Sequence, residues 1–376
     1  MASHGSFAQL GRAMTRAVRI DMPQQQQPEA GPPTQICREL DRPDRRSAAL
    51  HALDADRMLI GALNCYVAGD GPPLLLVHGV SATASAADVR PVFERFKATH
   101  TVFALDLPGF GLSDRSQRDH TPQRMTDAIH TVTDQIRRRC GRQPVDALAV
   151  SLGCEFVARA AVEHPADFAH LAFVSPTGLD GTRERFDPRG STREIPWLRS
   201  LITHPLLAGG LYRLLTQPAV VRLGLQRTWG SAHIDETLCA HAVNTARAPD
   251  AAHAPLDHLS GRLFSADIHR IYKSLTQPVW LSRGVRGNAT DVRALRWLGP
   301  AHPWRQTIFA TGGMPFFEMQ EAFAAELADF LGDRNQGSLS LDRQAALFPR
   351  FTAAWGLHAD EQVGALQPPP PARPLH

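Results

Sequence analysis

Through the middle of the chain, short apolar blocks alternate with longer stretches that have helical spacing. Met58–Ala68 predicts a strand. Leu74–Val77 is the kind of compact apolar run that a parallel strand buried on both faces requires. Ala86–Lys97 predicts a helix, and Thr101–Asp106 the next strand. Thr121–Arg139 carries Met125, Ile129, Val132 and Ile136 at spacings of 4, 3 and 4, which marks one helix face. Val145–Val150 then predicts a strand, Leu152–His164 a helix, and Leu171–Ser175, Pro278–Ser282 and Gln306–Ala310 three further strands. Phe316–Leu331, with Phe323, Leu327 and Phe330, closes the pattern as a helix. This alternation predicts an α/β fold, with a mostly parallel central sheet covered by helices on both faces.

The alternation is interrupted once. Residues 177–270 contain helical, apolar-rich stretches (Trp197–Leu207 and Leu211–Leu225) and no convincing strand. An insertion at this point would lie over the carboxyl ends of the strands, where open α/β sheets form their ligand crevice. It reads as a helical lid. The core is then divided into residues 47–176 and 271–335. Residues 1–46, with Gln24–Gln27 and nearby prolines, read as a flexible leader, and residues 336–376, with Pro368–Pro371, as a flexible proline-rich tail.

Composition narrows the class. Of the 376 residues, 43% are hydrophobic and 20% charged, as in a protein with a substantial core. A net charge of +3 gives no basic footprint for nucleic acid, and no nucleic-acid partner is expected. Five scattered cysteines without a C-x-x-C support neither a disulfide framework nor a zinc site, and a cytoplasmic, reducing setting is the expectation. No stretch is apolar enough to span a bilayer, and membrane association is not expected. The leader is arginine-rich, with Phe7, Leu10, Met14 and Val18 near helical spacing. A transit or membrane-surface helix is the alternative there to a poorly ordered segment.

Three motifs carry the candidate chemistry. Ala149-Val150-Ser151-Leu152-Gly153 places a serine between a predicted strand and a predicted helix, with small residues two before and two after it. Such a turn strains the serine backbone and projects its hydroxyl; the alternative is an ordinary helix-capping serine. His78-Gly79-Val80-Ser81 follows the strand Leu74–Val77. Asp106-Leu107-Pro108-Gly109-Phe110-Gly111-Leu112-Ser113 forms a glycine-rich turn without the Gly-Lys-Ser/Thr ending of a phosphate loop. Together the three resemble the α/β-hydrolase superfamily, specifically its lid-bearing branch, over about residues 58–331. The resemblance implies that Ser151 is a nucleophile. It also implies that the backbone N–H groups of Val80 and Leu152 form an oxyanion hole, with Ser81 beside it at the substrate.

The same resemblance exposes a departure. The family usually places its histidine base in Gly-x-Gly-His-x-Pro. Aligned on Pro315 of Gly312-Gly313-Met314-Pro315, that position is Gly313. The acid position, counted from Gly284, is Gly287. Candidate replacement acids are Asp291 and Asp180. Candidate bases are His302, His358 and His376 in the later chain, His241, His253 and His258 in the insertion, and His78. Cys154 and Glu155 follow the serine too closely on one helix to be assumed partners. Two functions remain open. One is a serine hydrolase or acyltransferase acting on an ester or thioester with a hydrophobic part. The other is a degenerate α/β-hydrolase fold that binds a small apolar ligand or a protein. No cofactor or metal is expected.

Overall fold

The computed structural model describes residues 52–179, 187–286 and 304–332. All of them belong to the unit Pro43–His376; the unit Met1–Arg42 lies outside them, as does the tail from residue 333. The sheet has eight strands: β1 (Asp56–Ile60), β2 (Leu63–Ala68), β3 (Pro73–Val77), β4 (Thr101–Leu105), β5 (Val145–Val150), β6 (Phe168–Val174), β7 (Val279–Gly284) and β8 (Arg305–Phe309). Their spatial order is β1-β2-β4-β3-β5-β6-β7-β8. The pairs from β4 to β8 are parallel, and β2 runs antiparallel to both β1 and β4.

The single strand predicted over Met58–Ala68 is in fact a hairpin. Ile60 pairs with Leu63 across a turn in which Gly61 adopts φ +60°. A left-handed glycine between two apolar runs reverses the chain at little steric cost, and the uninterrupted hydrophobic pattern concealed it.

The helices flanking the core are α1 (Arg90–Phe96), α2 (Pro122–Arg139), α3 (Gly153–Glu163), α9 (Ile268–Lys273), α10 (Pro315–Glu318) and α11 (Gln320–Gly332). Thr121 caps α2 by accepting from the Arg124 N–H, and Pro122 fits the first turn, where no intrahelical donor is needed. The closing helix predicted over Phe316–Leu331 is two helices, broken at Met319. Strand residues alternate between two apolar layers. Leu75, Val77, Ala147 and Ala149 meet Met125, Ile129, Val132 and Ile136 of α2 and Phe156 and Val157 of α3. Leu74, Leu76, Leu148 and Val150 meet Val92 and Phe93 of α1 and Phe323, Leu327 and Phe330 of α11. Because both faces are covered, the central strands carry no polar alternation.

Between β6 and β7 the chain forms α4 (Pro196–Ile202), α5 (Pro205–Leu215), α6 (Pro218–Trp229), α7 (Glu236–Thr245) and α8 (His253–Leu259) before α9. The two long helical stretches predicted there are cut by Pro205 and Pro218, each of which begins a new helix.

The loops at the carboxyl ends of the strands are tied together by Asp106, a fully buried residue directly after β4. Its Oδ1 accepts from the Ala86 N–H at 2.8 Å, and its Oδ2 from Asn64 Nδ2 at 2.8 Å and the Leu112 N–H at 2.9 Å. The carboxylate therefore joins the start of β2, the turn Ala86–Val89 and the glycine-rich loop. Gly111 passes so close that a Cβ there would lie 2.0 Å from the Asp106 carboxyl. We predict that Asp106→Ala orphans three donors and lowers stability by at least about 3 kcal/mol, at roughly 1 kcal/mol or more per buried donor. Urea unfolding followed by circular dichroism measures this.

Candidate active site

Ser151 sits between β5 and α3 with φ +52°, a left-handed conformation that a residue with a Cβ adopts only where its surroundings enforce it. The enforcing contacts are visible. The Ser151 N–H donates to the Val174 carbonyl at 2.8 Å, and the Ser151 carbonyl accepts from Cys154 at 3.1 Å and Thr177 at 3.4 Å. The loop after β3 closes over the turn. A Cβ on Gly153 would lie 2.4 Å from the His78 carbonyl oxygen, and one on Gly79 would lie 3.2 Å from Ser151 Cβ. Because β3 and β5 are neighbours, the motifs His78-Gly79 and Ser151-x-Gly153 meet at adjacent strand ends. Ser151 and Val80 are half-buried, Leu152 is buried, and Ser81 is exposed with its Oγ accepting from the Thr83 N–H at 3.2 Å.

His78 is a structural residue. Its Nε2 accepts the Leu107 N–H at 3.0 Å, so the ring proton lies on Nδ1, which donates to the Gly79 carbonyl at 2.6 Å. Burial pushes its pKa down, and the neutral ring uses both nitrogens to join two loops.

Residues 72–195 match the family model described as the alpha/beta hydrolase fold. The chain has the α/β-hydrolase fold. It is 28% identical over 130 residues to the 1-acylglycerol-3-phosphate O-acyltransferase ABHD5 of Rattus norvegicus and to that of Mus musculus. That match covers 34% of this chain and 36% of each relative, so it spans only about a third of the curated relatives' length. Among solved structures, it resembles a bacterial membrane phospholipase A (19% identity, TM-score 0.56, 81% of this chain and 93% of that one). It also resembles the enol-lactonase of Burkholderia xenovorans LB400 (15% identity, TM-score 0.56, 74% and 100%). At such identities these structures share the fold.

At the position where the resemblance implied a histidine, this chain has the loop Gly312–Gly313, and the end of α6 adjoins it. The Gly313 N–H donates to the Thr228 carbonyl and its carbonyl accepts from Ser175 Oγ, both at 2.7 Å. A Cβ on Gly312 would lie 2.1 Å from the Trp229 oxygen, and one on Gly313 would lie 3.2 Å from the Thr228 oxygen. Gly230, which ends α6 at φ +58°, leaves no room for a Cβ beside Arg286. Arg286 pairs with Glu318, whose Oε1 also accepts the Gly312 N–H at 2.7 Å. Motif spacing identified Gly313, but nothing in it pointed to Thr228–Gly230 as the neighbours of its loop.

The candidate substitutes are engaged elsewhere. His241 Nε2 lies 3.1 Å from both Ser85 Oγ and Thr245 Oγ1. His253 pairs with Asp250, and His258 stacks on Phe264 with its pKa pushed down to about 4 by burial. Gly287, Asp291, Asp180, His302, His358 and His376 lie outside the described residues. Cys154 is buried with its Sγ against the Ala149 carbonyl, and burial holds its thiol far above the usual range. Among the described residues, no imidazole or carboxylate hydrogen-bonds Ser151 Oγ, and no group of three or more His, Cys, Asp or Glu could hold a metal.

Glu155 is more interesting than its position next to Cys154 suggested. It is fully buried one turn beyond Ser151, accepting from Thr177 Oγ1 at 2.6 Å and the Ser265 N–H at 2.9 Å. Nearby, Arg159 bonds Asp267 Oδ1 at 2.7 Å and Ser265 Oγ at 3.2 Å. Helix α3 thereby fastens the base of the insertion to the serine turn. Burial pushes the Glu155 pKa from 4.5 to about 7, outweighing the hydrogen bonds that favour the charged form. The native state therefore holds a proton that the unfolded chain releases in this window. This contribution to stability is complete below the unfolded value and is lost as pH rises through about 7. Glu155→Gln keeps both contacts without titrating, its Oε1 accepting the Ser265 N–H and its Nε2 donating to Thr177 Oγ1. Its urea midpoint should gain on the wild type's between about pH 5 and about pH 8.

Proposed function

We propose that the protein carries out acyl transfer from an ester or thioester with a hydrophobic part, using Ser151 as nucleophile. The left-handed turn at Ser151, wedged between Gly79 and Gly153, carries this reading. A serine whose only task was to cap a helix would not need that strain. In this reading Ser151 Oγ attacks the acyl carbonyl, and the carbonyl oxygen gains negative charge opposite the N–H groups of Val80 and Leu152. The C–O or C–S bond of the donor breaks, the leaving group departs as an alcohol or thiol with the serine proton, and an acyl-serine forms. Water or an acceptor hydroxyl then takes the acyl group. The helical insertion acts as the lid, and Ser81 lies on the substrate side of the oxyanion loop.

With Gly313 in place of an imidazole, activation of the hydroxyl is weak. Oxyanion stabilisation and binding without a complete triad retain about 10³–10⁴-fold acceleration over water. Activated donors are the class best matched to such a site, because their leaving groups need little protonation. We expect slow covalent labelling of Ser151 by a fluorophosphonate probe and slow turnover of an activated medium-chain ester. Both should be lost in Ser151→Ala. Failure of the wild type to label, or equal labelling of Ser151→Ala, counts against the proposal.

One observation favours a second reading, in which the fold binds an apolar ligand without turning it over. The Thr228 carbonyl holds the Gly313 N–H, so α6 stands beside the position from which a base would act. Undiminished binding of a fluorescent fatty acid by Ser151→Ala, with no esterase activity in the wild type, would select this reading.

A further inference from the structure

Helix α5 is apolar on both sides. Its inward arc is Ala208, Leu211, Tyr212 and Leu215, of which only Tyr212 is buried. Its outward arc is Leu206, Leu207, Gly210, Arg213 and Leu214. Leu206 is 86% exposed and Leu214 56%. An amphipathic surface helix would place charge on that arc. The neighbouring helices repeat the pattern. In α4, Trp197 (70% exposed) and Leu201 point outward one turn apart; in α6, Val220, Leu223 and Arg227 do so. Helix α5 packs against both. Gly209, Gly210 and Gly224 have nothing within 4 Å of where a Cβ would stand, so none of the described residues covers them.

Charge gives this surface a partner. From Ile195 to Ile234 the chain has Arg199, Arg213, Arg222 and Arg227 and no aspartate or glutamate. Arg199 and Arg222 are taken up in ion pairs, with Asp257 and Glu236 among their partners. Arg213 and Arg227, both exposed, have no acidic partner among the described residues and sit on the leucine-bearing arcs. Exposed leucines, a tryptophan and two arginines without acidic partners among the described residues match the interfacial zone of an anionic phospholipid surface.

We propose that α4–α6 form a docking surface that lies on anionic lipid bilayers without crossing them. No helix among the described residues is long and apolar enough to cross a membrane. The leucines and Trp197 enter the headgroup–acyl boundary, and Arg213 and Arg227 contact lipid phosphates. The inward arc connects this surface to the candidate active site, because Tyr212 donates from its hydroxyl to the Ala82 carbonyl, two residues beyond Val80. The proposal stands independently of whether Ser151 turns substrate over.

The test is cosedimentation of the full chain with phosphatidylcholine vesicles, with and without phosphatidylglycerol, at low and high salt. The wild type should bind the anionic vesicles and lose much of that binding at high salt. Trp197→Ser/Leu206→Ser, both exposed changes, should weaken partitioning by about tenfold or more with unchanged circular dichroism. Arg213→Glu/Arg227→Glu should abolish the preference for phosphatidylglycerol. Ser151→Ala should bind like the wild type, so a failed binding result is distinct from failed catalysis. Absence of wild-type binding overturns the proposal. So does equal binding by the serine double variant, which would assign the contact to another part of the chain. A wild-type dimer that this variant splits, without vesicle binding, overturns it in favour of a second copy of the chain.

Discussion

The candidate site depends on how closely two loops approach. The His78 carbonyl comes so near Gly153 that no side chain fits between them, and Gly79 lies against the Cβ of Ser151. This contact leaves the serine turn in its left-handed conformation. It is available because β3 and β5 are adjacent parallel strands whose carboxyl ends are level, with Val77 beside Ala149. A strained turn persists only when its surroundings over-determine it. Here the surroundings are backbone and glycine, which leave little room for the turn to relax.

Two polar residues maintain that approach from behind, and neither has catalytic geometry. His78 spans from Gly79 to Leu107 through both ring nitrogens. Asp106 gathers donors from three segments with one carboxylate. Both are buried, and both have their hydrogen-bonding atoms matched, as low-dielectric surroundings demand. They sit in the motifs that make the chain look like a hydrolase, yet they act as ties between loops. Glu155 plays a comparable part on the other side of Ser151, joining α3 to Ser265.

On its far side the site departs from the arrangement its fold implies. The end of α6 fills the space beside Gly312 and Gly313, and Arg286 and Glu318 brace the loop from below. The helices that seal this corner are continuous with those that present leucine and arginine outward. One insertion therefore both meets the Gly312–Gly313 loop and carries the exposed apolar arcs.

Sequence alone determined the strands and flanking helices of the core, because residues covered on both faces must be apolar in unbroken runs and the α2 face repeats at helical spacing. It determined the serine turn too, because only small neighbours tolerate it, and it located the glycine at position 313. The hairpin at Gly61 and the breaks at Pro205, Pro218 and Met319 were harder to read, since a continuous hydrophobic pattern masks a reversal or a short interruption. Only the tertiary structure decided what lies beside Gly313, which nitrogen of His78 accepts, and that Glu155 is buried against Thr177 and Ser265. These are contacts between residues far apart in sequence; Glu155 lies 22 positions from Thr177 and 110 from Ser265. Local patterning encodes which face of an element is apolar. Which distant element then covers that face, or leaves it open as on α5, is set when the whole chain packs.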